Sequence, residues 1–519
     1  MLAALSAAIG VPEPTLRLLV SVLAAYPTAL VQRSLLKPEI SPTQRNAFNV
    51  ASGLAIAWFF CGSDIKHSLF TATVTYLLSW AAATVLAPRD RWYGAAAAFA
   101  FNFGYLLIAY VYTASEGYDI NWTTPQSVLV LRLIGFAFDC SDGSKGVIAR
   151  RSAPTATAPD ADADDKKADA VPARRPETES TRVPSAWSGD LSQTEMPSYL
   201  EMLGFVYFSG SFLVGPQFSF ALYRRYLTLD LFKTHTPVGS TGKPGTPIGK
   251  SITALLDSGR PAALKTFGIA VVYLAVTQVL GMWYWSGITQ TAEFLDASFG
   301  RRLWLAWWAG KTALTKYLGV WLLTEGACIF SGLGFDGLDA AGNPRWAGLA
   351  NIYPKSFELA TSLAEIIGSF NVNTNHWAKL YVFKRLRFLG NKHLSSLGTL
   401  AFLCIWHGFH PGYIFAFSLE FVDMIVERKL VLLAAPLIAQ VHAFGMVGQI
   451  AVSFVQWFLT TSALYYAALG FDLLTGKAIL TAFSSLYWIG HILLAGLFVF
   501  TAVVRPPRSK ADGAAKKLQ

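Results

Sequence analysis

The amino-acid sequence predicts an all-α protein, a polytopic transmembrane bundle of about ten or eleven helices. Three observations predict it. Hydrophobic residues make up 53% of the 519 residues and charged residues only 14%, where a soluble domain carries about a quarter charged. Mean hydropathy is +0.40. The apolar residues fall in long unbroken runs, not in the short alternating segments of a membrane β-barrel. These features exclude a soluble enzyme, a disordered chain and a fibre. A net charge of +10 would suggest nucleic acid as a partner of a soluble protein. In a membrane protein the basic residues gather in cytoplasmic loops and face anionic lipid, so no nucleic-acid partner is expected.

The elements follow in order. Positions 16–36, 45–62, 67–87 and 93–114 read as four closely spaced spans, the second weakened by Asn49 and Ser52. The first run lacks a strongly basic leader, so insertion as a multi-spanning protein is expected. Positions 121–140 are apolar but carry Arg132 and Asp139, which are too costly to face lipid and should face protein or water. Asn121-Trp122-Thr123 is formally a glycosylation sequon. Residues 149–190 are Ala, Pro, Thr, Asp, Lys and Arg with almost no aliphatic bulk, and read as a disordered cytosolic loop without an apolar anchor. It would divide one membrane domain into N-terminal helices, 1–148, and a core, 191–504, followed by a basic cytosolic tail, 505–519. Helix is expected again at 197–222, an exposed loop at 233–261, and spans at 263–287, 303–330, 397–427, 431–468 (one span or two) and 481–504. The stretch from Ser331 to Leu394 is the most polar of the second half. Cys61, Cys140, Cys328 and Cys404 lie far apart, which suggests neither a disulfide framework nor a zinc knuckle.

Chemistry concentrates in two places. The first is "WHGFHPGY", with His407 and His410 inside the 397–427 run. Spacing i, i+3 would put both on one helix face, and an ionisable residue within a span is a functional hypothesis. The plainer alternative is a buried histidine bonded to a neighbouring helix. Pro411 cannot donate to the His407 carbonyl, and Gly408 and Gly412 loosen the same turn, so the helix should kink or open there. The pair has no third metal ligand nearby, and no metal is expected. No GxSxG elbow is present. A base with no protein nucleophile beside it suits direct attack by a substrate hydroxyl. The second place is "FNVNTNHWAKLYVFKRLRFLGNK". Asn371, Asn373 and Asn375 alternate ahead of Trp377. Lys384, Arg385, Arg387 and Lys392 then form a basic cluster that fits either cytosolic topology or a polyphosphate dock.

These segments, with "NWTTPQSVLVLRLIGFAFDCSDG" at 121–143 and "LGFVYFSGSFLVGPQFSF" at 203–220, resemble the membrane-bound O-acyltransferase family. Within it the likeness is to the lysophospholipid acyltransferase branch, of the lysophosphatidylcholine acyltransferase 3 type. The loop at 149–190 has no counterpart in that pattern. The resemblance implies helices around an internal catalytic chamber. It implies transfer of a fatty acyl chain from acyl-CoA, as co-substrate, to the hydroxyl of a lysophospholipid, with no resident cofactor. Lysophosphatidylcholine is the expected acceptor, with lysophosphatidylethanolamine and lysophosphatidylserine beside it. The essential histidine of the family matches His407 and the essential asparagine Asn371, with Asn373 as the fallback register. His410, Trp406 and Trp377 would support them. Lys384, Arg385, Arg387 and Lys392 would meet the phosphates of CoA. His407, kept neutral by an apolar surrounding, would act as general base. The alternatives are another acceptor (diacylglycerol, sterol or protein) and, from a different class, a transporter. Lys516 and Lys517, third and fourth from the end of the chain, resemble a dilysine retrieval signal and point to the endoplasmic-reticulum membrane. Oligomeric state, monomer or dimer, stays open at this point.

Overall fold

The computed structural model describes residues 2–113, 115, 117, 120–152, 183–233 and 248–504. Apolar runs become helices where they were expected in the first third of the chain. Glu13–Leu23 with Ala25–Ser34, then Pro42–Cys61, Ile65–Val85 and Trp92–Thr113, follow one another closely. Ser41 caps Pro42–Cys61 in a reciprocal box with Gln44, and Pro42 sits at the first helical position, where its missing N–H costs nothing. The polar Asn49 of this span is buried. It donates to Tyr223 Oη at 3.0 Å and accepts from Gln32 at 3.0 Å.

Thr123–Ser152 is one helix of 30 residues. Both of its interior charges face protein, as their cost in lipid demands. Arg132 is 2% exposed. Its guanidinium donates to the carbonyls of Phe205, Val206, Ser211 and Pro216 and lies over the rings of Phe205 and Phe218. Asp139 accepts from Tyr381 Oη at 2.7 Å.

Three expectations are corrected. The helix expected at 197–222 is two short ones, Tyr199–Val206 and Phe220–Leu227, joined by turns. The linking backbone is buried, and Arg132 satisfies part of it, the condition under which irregular chain is tolerated at membrane depth. Of the loop at 149–190, residues 153–182 lie outside the described residues, but its end is packed. Ser185–Trp187 form a 3-10 turn, Ala186 and Trp187 are buried, and Ser219 Oγ donates to the Ala186 carbonyl at 2.7 Å. The segment therefore has an apolar anchor. Of the loop at 233–261, residues 234–247 lie outside the described residues, and Ile248–Ser258 is a helix. It buries Ile252 and Leu256, one turn apart.

The second half is built on Arg260–Gly281, Phe299–Ser331, Lys392–His407, Pro411–His442 and Met446–Leu473. The run at 431–468 is split between the last two of these. The last run is a bent pair, Gly476–Ser485 and Ile489–Val503, at 79°. Among the described residues five stretches are long and apolar enough to cross a membrane, or six if the bent pair is one span. Phe299–Ser331, a helix of 33 residues, is not among them, and its charges meet protein partners. Lys311 pairs with Glu358, and Lys316 lies 2.6 Å from Asp472. The main buried core runs from the early spans through Phe205 and Phe208 to Trp377, Phe402 and Trp406, and so backs directly onto the two polar motifs.

Candidate active site

A cavity of about 870 Å³ lies among these helices. Its wall is mostly aliphatic and aromatic, with His407, His410, Trp406, Asn371 and Asn375 among the lining residues. The two motifs are thus brought to one space, although some thirty residues of chain separate them.

His407 is the last residue of Lys392–His407. The helix does not kink at this point; it ends. Gly408 takes φ 124, a conformation reserved for glycine, and turns the chain away. His410 is extended and precedes Pro411, which opens the next helix at its first position. The two histidines therefore do not share a helix face, contrary to the expectation from their spacing, because the glycine and the proline end one helix and begin another. Gly412 then passes so close to the next element that an added Cβ would meet the Gly470 carbonyl oxygen at 2.5 Å. The imidazole of His407 is enclosed by Trp406, Phe471, Phe417 and Tyr413, with ring centroids 4.6, 5.2, 5.4 and 5.5 Å away. Among the described residues neither of its ring nitrogens has a hydrogen-bond partner, so it is not a buried histidine bonded to a neighbouring helix. Trp406 is fixed from both sides. Its indole N–H donates to the Ser127 carbonyl at 2.9 Å, and its own carbonyl accepts from Tyr110 Oη at 3.0 Å.

Asn371 precedes the short helix Val372–Ala378 with φ 50 and ψ 42. This is the left-handed region, which asparagine tolerates better than most side chains. A short antiparallel pairing holds the segment. Ile352 bridges Phe370, Tyr353 N–H donates to the Ser369 carbonyl and Val372 N–H to the Asn351 carbonyl. The three asparagines separate cleanly. Asn373 is fully buried, with its amide bonded to the Leu349 and Ala350 carbonyls. Asn375 lines the cavity, but its amide donates to the Ile367 and Phe370 carbonyls at 2.9 and 3.0 Å. Asn371 alone of the three has an Nδ2 without a partner among the described residues. Its Oδ1 accepts from Asn351 Nδ2 at 3.4 Å.

The family profile described as the membrane-bound O-acyltransferase family matches residues 107–469, a range that contains both motifs. The chain belongs to this family. It is similar to proteins named lysophospholipid acyltransferase 5. The protein from Bos taurus is 33% identical over 508 residues, covering 96% of this chain and 91% of that protein. The Homo sapiens protein is 32% identical over 500 residues, covering 95% and 89%. A lysophospholipid acyltransferase of Schizosaccharomyces pombe is 30% identical over 518 residues, covering 98% and 89%. The transporter alternative falls with this membership.

In this acyltransferase the remaining candidates divide between wall and core. Trp377 is 1% exposed, packed on Phe402 and Tyr381, and does not reach the cavity. Lys384, Arg387 and Lys392 are exposed on the surface away from the cavity wall, and Arg385 lies over Phe138 and pairs with Asp142 at 2.6 Å. Glu420 and Asp423 line the cavity on Pro411–His442, three and six residues beyond Phe417. Neither has a hydrogen-bond or ion-pair partner among the described residues. The next acid along, Glu427, accepts from Leu363 N–H at 2.9 Å. The spacing of these acids within an apolar run was a signal in the sequence, and sequence reasoning passed over it.

Proposed function

We propose that this acyltransferase moves a fatty acyl chain from acyl-CoA to the free hydroxyl of a lysophospholipid, with lysophosphatidylcholine as preferred acceptor and lysophosphatidylethanolamine and lysophosphatidylserine as further acceptors. The observation that carries the reading is the imidazole of His407. It lines an apolar cavity, its ring nitrogens without a hydrogen-bond partner among the described residues, and Asn371 lines the same cavity. In the proposed reaction His407 takes the proton of the substrate hydroxyl as general base. The oxygen attacks the thioester carbon, the carbon–sulfur bond breaks, and the imidazolium returns the proton to the leaving thiolate. No protein nucleophile and no resident cofactor is required; acyl-CoA is a co-substrate. Asn371 hydrogen-bonds the reacting groups. The exposed Lys384, Arg387 and Lys392 suit the phosphates of CoA approaching from the cytosol.

Two features favour an amine-bearing phospholipid over diacylglycerol, a sterol or a protein. The likeness to lysophospholipid acyltransferases covers nearly the whole chain. Glu420 and Asp423 lie on the cavity wall, and an ammonium headgroup beside them would favour their ionised form and pair with it, an interaction that a neutral acceptor lacks. We place the enzyme in the endoplasmic-reticulum membrane, in phospholipid remodelling; Lys516 and Lys517 lie outside the described residues. The test is acyl transfer by the purified protein across choline, ethanolamine, serine and inositol lysophospholipids, with diacylglycerol and cholesterol as controls. Preference for choline is expected. Transfer only to diacylglycerol or sterol contradicts the reading.

A further inference from the structure

Which end of the Asn371 amide faces the cavity decides what the residue can do: the oxygen accepts and the NH₂ donates. A carboxamide can be built either way round, so its direction has to come from partners whose polarity is fixed. The frame around Asn371 contains such partners at every step.

Asn373 comes first. Its nitrogen is set by the carbonyls of Leu349 and Ala350, at 3.2 and 3.0 Å, which can only accept. Its oxygen is set by the indole N–H of Trp187 at 2.9 Å, which can only donate. Asn351 is next, and is 2% exposed. Its Oδ1 accepts from the backbone N–H of Asn373 at 3.1 Å, again a fixed donor, and from Asn373 Nδ2 at 3.3 Å. The Nδ2 of Asn351 must then be the group that meets Asn371, where it donates to Oδ1 at 3.4 Å. That leaves the NH₂ of Asn371 for the cavity. The backbone of Asn351 is itself pinned, since its N–H donates to the Glu325 carboxylate at 3.0 Å.

We propose that Trp187, Asn373 and Asn351 form a polarity relay that makes Asn371 present a hydrogen-bond donor to the substrate, and that Asn351 and Trp187 are positioning residues of the active site. The inference rests on the acyl-transfer reading above and deepens it. A fixed N–H at that place suits the thioester carbonyl oxygen, which gains negative charge as the carbon is attacked. It does not suit an acceptor role toward the substrate hydroxyl or toward a histidine N–H. The relay also gives the end of the 149–190 segment a task, since Trp187 is the donor that starts it.

The test uses the full-length protein, acyl-CoA and lysophospholipid. Asn351→Asp keeps the acceptor that Asn373 requires and reverses the arm that meets Asn371. Asn351→Ala removes both arms. If Asn351 were merely structural, the activity lost by each variant would track its loss of thermal stability, the cost of burying the Asp carboxylate beside Glu325 included. The relay predicts a loss of kcat in the Asp variant larger than its melting accounts for. The Asp variant should lose about 10²–10³-fold in kcat, the size of one lost oxyanion donor, with KM for both substrates little changed, and the Ala variant should be faster. Ala equal to or slower than Asp, or a loss confined to KM, overturns the relay. Asn371→Asp gives a second readout if Asn351→Asp does not fold. It keeps the acceptor for Asn351 and removes the donor facing the cavity, so it should be inactive; near-normal turnover overturns the proposal. His407→Ala, run alongside, separates the two failures. If it is inactive while Asn371→Asp works, only the relay is wrong. If it turns over normally, the base role of His407 fails whatever the asparagine variants do, and if the unaltered protein shows no transfer, the acyl-transfer reading fails first.

Discussion

The segment at 406–413 is held by rings, and the segment at 349–373 by hydrogen bonds. Around His407 four aromatic side chains fix the plane of the imidazole and take neither of its nitrogens. Around Asn371 a ladder of amides and carbonyls holds the side chains of Asn351 and Asn373 and the Oδ1 of Asn371, and among the described residues leaves the Asn371 NH₂ without a partner. A base has to exchange a proton, so it must be placed without being bonded. A donor to a developing charge has to point one way, so it must be bonded everywhere else. The difference in packing follows the difference in task.

The largest effect should come from the ring-held side. His407→Ala should lower kcat by about 10²–10⁴-fold while the protein still inserts and melts as wild type does, because the aromatic neighbours pack against one another as well as against the imidazole. A well-folded variant with near-normal turnover would break the comparison at its first term. On the hydrogen-bonded side the two central asparagines should fail differently. Asn371→Ala should lose activity about 10²-fold or more with little change in melting. Asn373→Ala should lose stability, about 1–3 kcal/mol for each buried group left unpaired, with the Trp187 indole among them. Thermal melting and kcat measured together check this, and the reverse pattern would shift the register by two.

Smaller effects sharpen the account at its edges. Glu420→Gln with Asp423→Asn should narrow the preference for choline over inositol lysolipids by about tenfold, equivalent to about 1.4 kcal/mol of lost ion pairing. An unchanged ratio in the headgroup panel would remove the two acids from recognition. Smallest of all should be the deletion of residues 153–182, which should leave kcat and KM close to wild type. Extending it through Trp187 should abolish activity, since it removes the buried turn and the first donor of the asparagine frame. If both deletions behave alike, the anchor has no bearing on the site.

The spans were legible because apolar runs of that length have few other uses, and Arg132 and Asp139 could be placed against protein because lipid would reject them. His407 and Asn371 were singled out from their motifs, Asn371 through the family resemblance, and both line the cavity. The break after His407 was half legible: Gly408 and Pro411 announced a disturbance, but whether a helix bends or ends depends on what it packs against, here Gly470 against Gly412. The frame around Asn371 was not legible. Asn351 lies 20 residues from it, and Trp187 lies 186 from Asn373, in a segment whose composition read as loop. Contacts between positions so far apart leave no periodicity to read. The turns at 207–219 were misread as helix for a related reason. Their apolar residues are buried by tertiary packing, and Arg132 on another helix meets the carbonyls that a helix would have satisfied itself.

The central claim is direct transfer from thioester to hydroxyl with His407 as base and no acyl-enzyme. Release of free CoA thiol from acyl-CoA by purified protein tests it most directly, followed from the first turnover with and without lysophospholipid. The account predicts no release without lysophospholipid, release equal to new phospholipid when it is present, and neither in His407→Ala. A burst of CoA stoichiometric with enzyme in the absence of lysophospholipid would contradict it, as would undiminished release by the His407 variant.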